Sequence, residues 1–253
     1  MLGATALITA LAAPSVVQAS FEVPAEGIDI VVALDTSSSM TSADFGGQQR
    51  IVAAKRVIND FLGGLKNDRA GVVIFSAEGM VLSPLTLDYA AAQRLVEPIA
   101  AGRPLRDGTA IGTGLATGLN LLRDSTARGK VAILLTDGQN NAGDVLPLDA
   151  AEIAKLLGVR LYTIGAVAAR SRAEVDEVLM KRMSETTGGL YFRASDETAL
   201  RDVYREISTL EKARVGTRAF ISTEDASVPF AAAGAALLAL WFLLTLTVFR
   251  RTP

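Results

Sequence analysis

Between residues 28 and 210, short apolar runs alternate with longer segments of helical period, and this alternation constrains the fold more than any other feature. The runs 28–34, 70–76 and 130–135 are almost continuously apolar, as strands covered on both faces are. The runs 80–85, 160–164 and 189–193 read as further strands bounded by turn residues. Segments 48–65, 89–99, 111–122, 150–157, 174–186 and 197–210 read as helices; in the first, Ile51, Val52, Val57, Ile58, Phe61 and Leu62 fall at helical spacing ahead of Gly63 and Gly64. The expected class is α/β, a Rossmann-like doubly wound and mostly parallel sheet with helices on both faces. Such sheets bind ligands beyond the carboxyl ends of their strands, where the strand order reverses.

One strand end carries chemistry. The run 28–34 opens into Asp35-Thr36-Ser37-Ser38-Ser39, which sets a carboxylate and two alternate hydroxyls at the mouth of the sheet. A second acid, Asp137, follows the core run 130–135 within Leu134-Leu135-Thr136-Asp137-Gly138, and Thr109 lies in the loop before the 111–122 helix. All five of Asp35, Ser37, Ser39, Thr109 and Asp137 offer oxygen alone, the donor of hard divalent cations such as Mg²⁺, Mn²⁺ and Ca²⁺. The bland alternative is that Ser37 and Ser39 cap a turn; a partner set on two other strand-end loops favours the metal. Asp107 and Asp144 read as loop or cap residues. The chain has no His and no Cys, which removes the usual zinc ligands and the commonest general base. A net charge of −2 gives no basic footprint for nucleic acid. Gly112-Thr113-Gly114-Leu115-Ala116-Thr117-Gly118 lacks the spacing of a nucleotide loop and reads as close helix packing, and 137–141 lacks the spacing and final Glu of an EF-hand.

The ordered pattern Asp35-x-Ser37-x-Ser39, then Thr109, then Asp137 resembles a von Willebrand factor A (vWA) domain, over about residues 28–210. The resemblance implies the vWA fold and a metal-ion-dependent adhesion site. It implies Ser37 and Ser39 as direct ligands, Thr109 direct or through water, and Asp35 and Asp137 acting mostly through water and hydrogen bonds. Ser38 departs from the glycine many relatives carry there, and would be strained if that position needed positive φ.

Asp107-Gly108-Thr109-Ala110-Ile111-Gly112, the stretch 135–143, Leu161-Tyr162-Thr163-Ile164-Gly165 and Tyr191-Phe192-Arg193-Ala194 are similar to the bacterial membrane-anchored aerotolerance (Bat-like) proteins. That similarity implies a functional link to a MoxR-type AAA+ ATPase and to other vWA proteins, in a chaperone-like envelope-stress role. Relatives tend to carry two membrane helices before the domain, so a truncated N-terminus is an expectation here.

The uncharged run 228–249 would span about 33 Å as a helix, enough for a bilayer core. Arg250 and Arg251 follow it and place the tail 250–253 in the cytoplasm by the positive-inside rule. The expected layout is a hydrophobic segment over 1–21 (either a membrane helix or a signal peptide cleaved near Val17-Gln18-Ala19), a vWA domain over 22–215, a linker over 216–227, a transmembrane helix over 228–249 and that tail. The domain is then expected on the extracytoplasmic side of the bacterial inner membrane, opposite a cytoplasmic ATPase. The expected function is non-enzymatic: a tethered module that holds Mg²⁺, with Mn²⁺ or Ca²⁺ as alternatives, and binds a protein partner whose carboxylate completes the ion's shell. A metal-dependent hydrolase using Asp35 as nucleophile, or a membrane scaffold assembled through Ala233-Gly234-Ala235-Ala236, are the rival readings.

Overall fold

The computed structural model describes residues 11–12, 15–24, 27–167, 176–215, 217–225 and 227–247. The chain divides into two compact units, 26–216 and the joined ends 1–25 with 217–253.

The larger unit is built on a six-stranded sheet. Its strands are β2 (Asp29–Asp35), β3 (Arg69–Phe75), β4 (Gly79–Thr86), β5 (Lys130–Thr136), β6 (Val159–Ala166) and β7 (Tyr191–Ala194), in the order β4-β3-β2-β5-β6-β7. Every pairing is parallel except β3 with β4, which follow each other through a tight turn and run antiparallel. The chain therefore builds outward from β2 in one direction and from β5 in the other. The strand order reverses between these two central strands, and their carboxyl ends frame a crevice.

Successive residues of a strand face opposite sides, and the buried core splits accordingly. Ile30, Val32 and Leu34 of β2 pack with α1 (Arg50–Gly64), α2 (Tyr89–Val96) and α6 (Glu197–Val215) on one side. Val31 and Ala33 pack with α3 (Ile111–Leu122), α4 (Pro147–Leu156) and α5 (Glu177–Thr186) on the other. This is the expected doubly wound α/β architecture. The glycines of α3 serve close packing: a Cβ on Gly114 would lie 2.4 Å from the Phe75 ring, and one on Gly118 3.0 Å from Val31 Cγ1. The helix can thus lie directly over the strands that carry the crevice.

The smaller unit holds two elements that the sequence reading did not anticipate. Strand β1 (Ser15–Pro24) pairs antiparallel with β8 (Thr217–Asp225), with Phe21 opposite Phe220. The 216–227 stretch, expected as a linker, is therefore largely a strand, and the 1–21 segment, expected as an apolar helix or leader, ends in one. Both runs are rich in β-branched and aromatic residues, Val16, Val17, Phe21 and Val23 in one and Phe220, Ile221 and Thr223 in the other, which suit a pleated ladder. Residues 1–10 and 248–253, with the two C-terminal arginines, lie outside the described residues, as does the basic Arg170-Ser171-Arg172 cluster. Helix α7 (Ser227–Thr247) has mean hydropathy 2.0 and is long and apolar enough to cross a membrane. Its two threonine hydroxyls are satisfied locally: Thr245 Oγ1 donates to Trp241 O at 2.7 Å and Thr247 Oγ1 to Leu243 O at 2.7 Å, the arrangement that lets threonine sit in an apolar helix.

Candidate metal centre

The crevice between β2 and β5 collects the oxygen donors. Thr36 fastens the end of β2 to its neighbour, donating from N to Phe75 O at 2.7 Å and from Oγ1 to the same oxygen at 3.1 Å. The chain then turns through a 3₁₀ segment, Ser38–Thr41, whose Met40 is buried as an anchor. This turn brings the two hydroxyls together, with Ser37 Oγ 3.0 Å from Ser39 Oγ. Ser39 Oγ donates in turn to Asp137 Oδ1 at 2.6 Å, across 98 residues of sequence.

Asp35 is fully buried, with Oδ1 accepting from Ser37 N at 2.8 Å and Oδ2 from Thr136 Oγ1 at 2.5 Å. Burial, and then the Asp137 carboxylate, push the Asp35 carboxyl up to about 7, against the pull of its own hydrogen bonds. Both donors to Asp35 are neutral.

Thr109 reaches the same crevice through two loops tied together. Thr109 N donates to Asn141 Oδ1 at 2.8 Å, and Thr109 O accepts from Asn141 N at 3.0 Å. Asn140 Oδ1 caps α3 at Ile111 N, 2.8 Å away. Ser76 Oγ holds the 106–108 loop by donating to Arg106 O at 2.6 Å and Gly108 O at 2.9 Å. Thr109 is 4% exposed, and a Cβ on Gly138, the residue after Asp137, would lie 3.4 Å from Thr109 Oγ1. The five sequence-selected residues thus converge from the β2 end, the 107–109 loop and the β5 end.

Asp107 and Ser38 form a clasp: Ser38 N donates to Asp107 Oδ1 at 2.9 Å and Ser38 Oγ to Oδ2 at 2.7 Å. Ser38 opens the 3₁₀ segment, and Asn67 is the sole non-glycine with positive φ among the described residues. The strain anticipated for a serine at this position is absent, because the backbone there does not need glycine. These bonds also hold Asp107 below the ordinary carboxylate range.

Sequence reasoning missed Arg50. This residue opens α1, and its side chain is 2% exposed. Nη1 donates to Asp137 Oδ2 at 2.7 Å, while Nε and Nη2 fork onto Asp44 at 2.8 and 2.5 Å. The loop before it turns on Gly46 and Gly47, both at positive φ, and is pinned by buried Phe45. A signal existed: the first turn of a helix favours acids, and α1 begins with an arginine and has no acid there.

The family profile of the von Willebrand factor type A domain matches residues 29–206. The chain belongs to this family. Among solved structures it is similar to BatB from Bacteroides thetaiotaomicron, with 25% identity and a TM-score of 0.65 over 74% of this chain and 100% of that one. An aerotolerance-related membrane protein from Bacteroides fragilis, 23% identical and again at TM-score 0.65 over 74% and 100% of the two chains, shares the fold. A UPF0353 protein of Mycolicibacterium paratuberculosis is 29% identical over 98% of this chain and 76% of its own length. Proximal thread matrix protein 1 of the mussel byssus, solved with zinc in its metal-ion-dependent adhesion site, shares the fold at 21% identity and TM-score 0.58, over 81% of this chain and 50% of its own.

The donor set suits a small divalent cation. It offers hydroxyl and carboxylate oxygens, and of its two buried acids Asp137 is paired with Arg50 while Asp35 accepts from neutral donors. Among the described residues, no group of three or more acidic, His or Cys side chains could hold a metal, so hydroxyls are essential to any such site.

Proposed function

We propose that this vWA domain holds a divalent cation, Mg²⁺ by preference, with Asp35, Ser37, Ser39, Thr109 and Asp137, and uses it to capture a protein partner through an acidic side chain. The observation that carries this reading is the chain of contacts Ser37 Oγ–Ser39 Oγ–Asp137 Oδ1 at 3.0 and 2.6 Å, beside a buried Asp35 pushed up to about 7.

Ser37, Ser39 and Thr109 are neutral donors and quench none of a cation's charge. Asp35 orients the Ser37 loop through its backbone N, and Asp137 orients Ser39. A cation so held supplies an electrophilic position for a carboxylate from outside. A binding role fits these residues better than hydrolysis: both Asp35 oxygens are engaged and the group is buried, unlike a poised nucleophile. The zinc-filled site of the mussel protein supports the metal reading by fold analogy.

The apolar α7 and the resemblance to Bat-like membrane proteins support tethering to the bacterial inner membrane. With Arg250 and Arg251 cytoplasmic, the domain is extracytoplasmic. A link to a MoxR-type ATPase in an envelope-stress complex then runs through the membrane segment or the tail. Calorimetry of the full chain in detergent with Mg²⁺ and Mn²⁺ tests the first step. The wild type binds; Asp35→Ala keeps its circular dichroism spectrum but loses the ion and, in membrane pull-downs, the Mg²⁺-dependent partner. A wild-type chain that binds neither cation ends the proposal.

A further inference from the structure

Each carboxylate oxygen of the centre has a defined partner, and the partners differ in kind. Asp35 Oδ1 accepts a backbone N–H from Ser37, and Asp35 Oδ2 accepts the Thr136 hydroxyl. Asp137 Oδ2 accepts from the Arg50 guanidinium. Asp137 Oδ1 accepts the Ser39 hydroxyl, whose hydrogen is free to rotate away when the oxygen is needed elsewhere. Arg50 is itself locked, because Nε and Nη2 fork onto Asp44 and the side chain is buried. A guanidinium held in this way does not swing aside as a lysine would.

From this we infer that Arg50 sets the cation preference of the centre by keeping Asp137 one-toothed. Resting on the metal-site reading above, the inference adds a positioning residue that acts through Asp137. Ca²⁺ takes about six to eight oxygens and favours carboxylates that offer both at once, whereas Mg²⁺ takes about six and accepts single oxygens and waters. With Oδ2 committed to Arg50, Asp137 presents one oxygen, and Asp35 presents none without breaking a buried hydrogen bond. The donors that remain are single hydroxyls. Arg50 also places a fixed positive charge beside the centre, which disfavours an ion needing more anionic oxygens around it. The site is thereby matched to Mg²⁺ or Mn²⁺ and starved for Ca²⁺.

The test is calorimetry and metal-dependent melting of the full chain in detergent with Mg²⁺, Mn²⁺ and Ca²⁺ in turn. Wild type binds Mg²⁺ at least about tenfold more tightly than Ca²⁺. Arg50→Gln frees Asp137 Oδ2 and narrows that ratio to about threefold or less, chiefly by tightening Ca²⁺. Asp44→Asn keeps one oxygen to accept from the Arg50 fork, so Arg50 stays on Asp137 and the wild-type ratio is kept. Should Arg50→Gln fail to fold, Arg50→Lys, a point charge without the fork, gives a ratio between the two. An unchanged ratio in the folded Arg50 variants, a wild-type preference for Ca²⁺, or an equal shift in Asp44→Asn overturns the inference while leaving metal binding intact. A wild type that binds no cation sinks the metal-site reading itself.

Discussion

Strand β2 carries a buried aspartate at each end, and the two are treated in opposite ways. At its start, Asp29 is closed off: Arg69 grips both oxygens, from Nε at 2.8 Å and Nη2 at 2.5 Å, and Ser125 Oγ adds a bond at 2.5 Å. At its end, Asp35 receives only neutral donors and faces a second acid, which together with burial pushes it up to about 7. The same residue type on the same strand is a structural brace at one pole and an unsatisfied charge at the other. Burial alone therefore does not mark a site. What marks it is burial without a countercharge, and the countercharge present nearby, Arg50, serves Asp137 instead.

The contrast breaks most visibly at the two ion pairs. Arg50→Gln leaves Asp137 buried and uncompensated, and chemical denaturation in chelator should show a loss of about 3–5 kcal/mol. Asp29→Asn at the other pole frees Arg69, whose side chain is 44% exposed and can rehydrate, so the same measurement should give about 1–3 kcal/mol. Equal losses would mean that the poles are not electrostatically different.

Asp35→Asn should cost less than about 1 kcal/mol in chelator, or even stabilise, since it removes a repelled charge. Its pH behaviour sharpens the point. The carboxyl sits higher folded than unfolded, so its contribution is fully present below the unfolded value of 3.8 and is lost as pH rises through about 7. Metal-free wild type should accordingly lose stability between about pH 4 and pH 7 relative to Asp35→Asn. Parallel pH profiles for the two proteins would show that Asp35 is not the strained group.

The smallest effect belongs to the exposed clasp. Ser38→Ala removes the hydroxyl bond to Asp107 but keeps the backbone one, and should leave the denaturation midpoint nearly unchanged with metal affinity lowered at most a few-fold. A loss of binding as large as that of Asp35→Ala would move Ser38 into the site itself.

The legible parts of the molecule were those with strong local signatures. Continuous apolar runs gave the buried strands, and helical period gave α1 and α3. The Asp35-Thr36-Ser37-Ser38-Ser39 motif pointed to its crevice because a strand end in an α/β sheet is where ligands gather. The β1–β8 ladder was not legible. Its paired residues Ser20 and Ile221 lie 201 positions apart, at opposite ends of the chain, and neither run has a hairpin turn to announce it.

Sequence by itself determined the fold class, the apolar C-terminal helix and the oxygen-only chemistry of the centre, because these follow from residue type and period along the chain. Tertiary structure alone decided which acid keeps a countercharge. Arg69 and Arg50 look alike in sequence, but parallel pairing sets Asp29 beside Arg69, and the start of α1 sets Arg50 against Asp137, 87 residues away. Charge compensation acts over a few ångströms in space, a distance that spacing along the polypeptide does not encode.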